Sequence, residues 1–222
     1  MRNPRICCAA MNNSDLLIPV TDINLCVNFT SQGVCDEEYG LTVMKQRCPS
    51  TGPPRANHFS FWLGFGGDST VMLDVTQRNP PLNPYATDYV ETRRLPAIVR
   101  LTPKTIPTDD DIGCVLRAFD VRAGTTLGDI VRLILNRNRD RYSFFPFYKQ
   151  QAGCRYWIYL LAKDLEDVGI TGKGYASDVL QCLQTYYSRY PLKLPNGRWG
   201  QGGNWAPRPE FYCAPVLSGC FF

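Results

Sequence analysis

Asn57-His58-Phe59-Ser60-Phe61-Trp62-Leu63-Gly64-Phe65-Gly66-Gly67-Asp68-Ser69-Thr70-Val71-Met72-Leu73-Asp74-Val75 reads as two strands around a glycine-rich turn. His58–Leu63 and Ser69–Val75 are rich in aromatic and β-branched residues, and Gly64 to Asp68 supplies the positive φ that a tight reversal needs. Folded about Gly66, the hairpin sets His58 opposite Asp74, and alternation puts both on one face with Ser60, Trp62, Thr70 and Met72. Asp74 is the one charge in an otherwise apolar strand and needs a partner. His58, the only histidine among 222 residues, is the natural one.

Outward from the hairpin, Val20–Thr30 reads as a preceding strand and residues 31–56 as an inserted loop with Ser50-Thr51-Gly52-Pro53-Pro54. Asp88–Leu95 and Gly113–Val121 read as further strands, separated by a proline-bearing loop over Thr102–Thr108. The second half is helical. Leu127, Ile130, Val131, Ile134 and Leu135 have helical spacing, and Thr126 with Asp129 forms a capping-box start. A second helix is predicted over Cys154–Val168, closed by Gly169 and Ile170, and a third over Ser177–Tyr190, stopped by Pro191. The plan is α+β: an antiparallel sheet with three helices packed on it. Residues 1–18 read as a flexible arm, 19–190 as a single domain, and 191–222 as a loop-like tail that covers a pocket.

Apolar residues are 44% and charged residues 20% of the chain, as in a globular protein. A net charge of +4 is too small to argue for nucleic acid. The basic run Asn136–Arg141 follows a helix end, where cations complement the dipole. No stretch approaches the ~20 apolar residues of a membrane span. Ile6–Met11 is short for a signal core, so a cytoplasmic, reduced chain is expected. In that setting most of the ten cysteines are small buried hydrophobes. A bridge among Cys26, Cys35, Cys48, Cys213 and Cys220 stays open. With no CxxC pair and one histidine, no metal or other cofactor is expected.

Gly153-Cys154-Arg155-Tyr156-Trp157 opens the second helix. Unpaired N–H groups and the positive end of the dipole favour a thiolate there, and Arg155 adds positive charge. The candidate chemistry is therefore Cys154 as nucleophile, His58 as base and then acid, and Asp74 as its orienter. Trp62, Thr70, Gln151, Arg155 and Trp157 are candidate substrate-binding residues; the Gln151 amide would join the Cys154 N–H at an oxyanion. Each residue alone has a plainer reading: a buried cysteine, a satisfied strand histidine, an aspartate paired with an arginine. Three classes follow. The first is an acyl transferase or hydrolase acting on an amide, ester or thioester of a small molecule. The second is a cofactor-free cyclase, isomerase or ligand-binding protein using His58 and Asp74 in an apolar pocket. The third is a non-catalytic interaction domain.

The order of His58 strand and Cys154 helix resembles the permuted branch of the papain-like superfamily, the NlpC/P60 and lecithin:retinol-acyltransferase-like proteins. There a histidine strand precedes the helix that carries the nucleophilic cysteine. That resemblance implies a thiol acyl-transfer chemistry, with Asp74 or Thr70 orienting the histidine. Gly153 stands where that branch has Asn, and the separation from His58 to Cys154 is long. From Asn57 to about Tyr190 the chain is also similar to a fungal family of uncharacterised proteins. Those proteins combine an Asn-His-Trp strand, an Arg-Asp-Arg-Tyr segment and a Gly-Cys-Arg-aromatic-Trp helix. Here the counterparts are Asn57-His58-Phe59, Arg139–Tyr142 and Gly153–Trp157. That similarity implies a filamentous-fungal source and no established activity; a fungal small-molecule pathway as the setting is an analogy only.

Overall fold

A computed structural model describes residues 6–8, 11–29, 57–67, 69–77, 96–104, 113–147, 150–189, 205–212 and 220–221. The expected strand Asp88–Leu95, the insertion at 31–56 and most of the tail lie outside them. A six-stranded sheet contains β1 (Ile6–Cys8), β2 (Asp22–Phe29), β3 (Asn57–Gly64), β4 (Thr70–Gln77), β5 (Ala97–Lys104) and β6 (Gly113–Asp120). Its order is β1-β5-β4-β3-β2-β6. All neighbours are antiparallel except β1 against β5. Three helices follow: α1 (Leu127–Asn136), α2 (Cys154–Asp167) and α3 (Tyr175–Leu183). The class is α+β, as the patterning indicates.

Short pairs complete the fold. β7 (Tyr142–Ser143) pairs with β12 (Cys220–Phe221), β8 (Phe145–Phe147) with β9 (Gln150–Ala152), and β10 (Thr185–Arg189) with β11 (Trp205–Tyr212). The chain thus departs from the expected outline in four places. The arm supplies β1, the tail supplies β11 and β12, Thr102–Lys104 of the expected loop belong to a strand, and the third helix ends at Leu183. Past that helix Thr185-Tyr186-Tyr187 are strand formers, and they pair instead of continuing the turn.

Odd-numbered residues of the central strands build the main core. Ile23, Leu25, Phe59, Phe61, Leu63, Leu73, Val75, Val99 and Leu101 are buried together with Ile130, Trp157, Leu161 and Val179 of the helices. The Phe61 and Tyr175 rings stack at 6.2 Å, and Phe119 meets Tyr175 edge-on at 4.5 Å, tying α3 to the sheet. Even-numbered positions carry the buried polar groups Asn24, His58, Ser60, Thr70 and Asp74.

The helix ends follow their sequence signals. Thr126 and Asp129 form the reciprocal capping box of α1. After α2, Gly169 adopts φ 68°. Its N–H reaches the Glu166 carbonyl at 2.9 Å, and that of Ile170 reaches Leu165 at 2.9 Å. These two bonds are the Schellman pair.

Candidate functional site

The β3–β4 hairpin turns through Gly66 and Gly67, at φ 86° and 63°. Its register differs from expectation: Trp62 faces Met72 and Phe61 faces Leu73, a slip of two residues along the partner strand. A slip of two leaves every side chain on its original face, whereas a slip of one would reverse it. His58 and Asp74 are therefore diagonal neighbours rather than opposite ones, and they still meet. His58 Nε2 lies 2.6 Å from Asp74 Oδ1. Both are buried, with 8% and 6% of their surface exposed.

Cys154 joins them. It is the first residue of α2, and Arg155 beside it sets its guanidinium 4.7 Å from the Phe59 ring centroid. The N-terminus of α2 thus abuts the His58 end of β3. His58 is hydrogen-bonded to Cys154 as well as to Asp74. With Nε2 engaged by the carboxylate, Nδ1 is the ring nitrogen left to serve the thiol. Burial pushes the imidazole pKa down. The charge and hydrogen bond of Asp74, followed by the hydrogen bond and charge of Cys154, outweigh it and hold the ring well above 6.5. The result is a buried imidazolium between a carboxylate and a sulfur at a helix N-terminus, where the dipole favours the thiolate.

Gly153, the residue before the sulfur, has φ 125°. A side chain there is strained, so the position calls for glycine. Two donors hold its carbonyl: the Tyr142 hydroxyl at 2.6 Å and the Trp157 backbone N–H at 3.0 Å. Further along α2, the Trp157 indole N–H donates to the Arg139 carbonyl at 2.8 Å. The Arg139 guanidinium grips Asp164 with two bonds, at 2.5 and 2.9 Å. The Arg139–Tyr142 segment therefore fixes the roll and the start of α2. The patterning places these arginines at the end of α1, whereas Arg139 serves α2.

The other candidate residues sit as follows. Trp62 is buried with its indole N–H on Ser60 Oγ at 2.9 Å, and Thr70 is buried on the same face. Trp157 is fully buried. Arg155 is almost fully buried and donates to the carbonyl of Leu183, the last residue of α3. The backbone of Gln151 pairs with Pro146 in β9, and its side chain lies outside the described set. Tyr142 and Arg139 were not singled out by the site reading. Their one cue was the Arg-Asp-Arg-Tyr segment, since a side chain that serves a backbone carbonyl leaves no pattern in sequence.

Cys26, Cys154 and Cys182 are thiols rather than disulfides. Among the described residues no helix is long and apolar enough to cross a membrane. A family model described as a domain of unknown function (DUF7770) matches residues 42–200, so the chain belongs to that family. The matched span includes His58, Asp74, Tyr142 and Cys154. Comparison with curated proteins and with solved structures gives no match.

Proposed function

We propose that this member of the DUF7770 family is a cysteine-dependent acyl transferase or hydrolase, acting through a thioester on an amide, ester or thioester of a small molecule. One observation carries the reading. The His58 ring is bonded to Asp74 and to Cys154 at once, with the sulfur at the N-terminus of a 14-residue helix. The residue order, histidine strand before cysteine helix, also agrees with the permuted papain-like resemblance.

In this mechanism the Cys154 thiolate attacks the substrate carbonyl carbon. The oxyanion accepts a hydrogen bond from the Cys154 backbone N–H, one of the first four of α2, which lack intrahelical partners. Collapse breaks the bond to the amine, alcohol or thiol, which leaves with the proton of the His58 imidazolium. The acyl group stays on sulfur. Water or an acceptor nucleophile then attacks the thioester while His58 takes its proton, and expulsion of the thiolate restores the resting ion pair. Asp74 keeps the ring oriented and stabilises its charged form. No cofactor enters the cycle.

Iodoacetamide at pH 6–7 tests this. Cys154 is expected to be carboxamidomethylated faster than Cys26 and Cys182, read by peptide mass spectrometry, with His58→Ala removing the advantage. Turnover of an activated thioester is expected to vanish in Cys154→Ala. Equal labelling of the three thiols refutes the proposal.

The burial of the sulfur favours one further reading. Cys154 has no exposed surface, whereas His58 keeps some. A cofactor-free cyclase or isomerase would use His58 and Asp74 for proton transfer and Cys154 as packing. Retained activity in Cys154→Ser with loss in Asp74→Asn separates it from the first.

A further inference from the structure

Asp74 has a second neighbour across the sheet. On β4 and β5, Asp74 and Arg100 are directly paired. Opposite residues of an antiparallel pair share a face, with their Cβ atoms about 5 Å apart. His58, Asp74 and Arg100 therefore run diagonally across β3, β4 and β5 on one side of the sheet. Its members differ in kind. His58 and Asp74 are buried and bonded to each other, while Arg100 is exposed. Among the described residues Arg100 makes no ion pair, because the carboxylate beside it is taken by His58.

An arginine next to a carboxylate ordinarily pairs with it. Here the guanidinium stands in solvent beside a reacting centre. Its five fixed N–H donors suit a carboxylate or a phosphate better than any neutral group. Strands are spaced about 4.8 Å apart, so the Arg100 column lies roughly 10 Å from the His58 column.

We propose that Arg100 is a specificity-determining residue, and that the acyl substrate carries an anionic group roughly 10 Å from its reactive carbonyl. This rests on Cys154 being the nucleophile. The bound substrate would lie across β4, with its reacting end at the His58–Cys154 pair and its anion on Arg100.

Two matched alkylating probes test the assignment: 6-(bromoacetamido)hexanoate and its neutral primary amide. In both, about 10 Å separates the reactive carbon from the terminal group. The acid is expected to alkylate Cys154 about tenfold faster than the amide at low salt. That ratio should shrink as salt is added, because an exposed charge pair is screened. In Arg100→Ala the acid-to-amide ratio should fall to about one, and in Arg100→Glu the amide should react faster. Using the ratio cancels any general change in thiol reactivity or in folding. A ratio near one in the wild type, or one unchanged by Arg100→Ala, overturns the proposal while the fast amide reaction leaves the nucleophile standing. If the amide labels Cys154 no faster than Cys182, the nucleophile itself fails and this inference falls with it.

Discussion

Replacing Asp74 by Asn, in a Cys154→Ala background, should reverse the pH dependence of stability. The background removes the thiol, so that the His58 ring is shifted by two opposing effects alone: burial, which lowers its pKa, and Asp74, whose charge and hydrogen bond raise it. In this background Asp74 is expected to keep the folded pKa above the unfolded value of 6.5, because its charge and its hydrogen bond both act against burial. Its contribution is then complete below pH 6.5 and is lost as pH rises toward the folded pKa. Between the two pKa values the folded state holds one more proton than the unfolded state, so stability falls by about 1.4 kcal/mol per pH unit. Asp74→Asn removes the charge and leaves burial, which puts the folded pKa below 6.5. The unfolded chain then binds the extra proton, and stability rises with pH up to about 6.5 before levelling. The amide also leaves a buried ring without its ionic partner. Breaking such a pair costs on the order of 3–5 kcal/mol near pH 6, and the cost shrinks as the ring neutralises. Urea unfolding followed by tryptophan fluorescence at pH 5.5 to 9 measures both curves. Parallel curves over that range would show that Asp74 does not hold His58 charged, and would remove the orienting role assigned to it.

Two other outcomes follow from the geometry. The Tyr175 hydroxyl is buried without a hydrogen-bond partner among the described residues, so Tyr175→Phe should be neutral or stabilise by about 1 kcal/mol in thermal unfolding. A loss of more than that would reveal a partner for the hydroxyl. Tyr142→Phe keeps the ring against Phe144 but deletes the bond to the Gly153 carbonyl. It should cost about 1 kcal/mol and slow iodoacetamide labelling of Cys154, whereas unchanged labelling would separate Tyr142 from the thiol.

Much of this arrangement is legible in the chain because its signals are local. Thr126 with Asp129, and Gly169 with Ile170, announce helix ends through contacts three to five residues apart, and both hold. The hairpin is legible for the same reason, yet its register is two residues off because glycines permit several turn lengths. The His58–Asp74 contact survives that error because side chains alternate with period two. What escapes local reading depends on distant partners. Pro103 and Pro107 make Thr102–Thr108 read as loop. Pro103, however, lies past the short β1, which pairs with Val99 to Leu101, so its missing N–H is tolerated where, among the described residues, a strand lies on one side alone. Thr185–Arg189 is a strand only because Trp205–Tyr212 pairs with it. Arg139 bonds Asp164 25 residues away, and no periodicity marks such a pair.

The hairpin also sets an order of assembly. His58 and Asp74 are 16 residues apart and are joined by one short turn. Cys154 is about 80 residues further along the chain. Closing the larger loop carries the greater entropic cost, and contacts of high sequence separation form late. The imidazole and its carboxylate are thus assembled before the sulfur arrives. In the proposed mechanism the thiol would pair with the imidazole only when α2 docks. On the proposed reading, Cys154 is thereby activated only once α2 has docked against the hairpin.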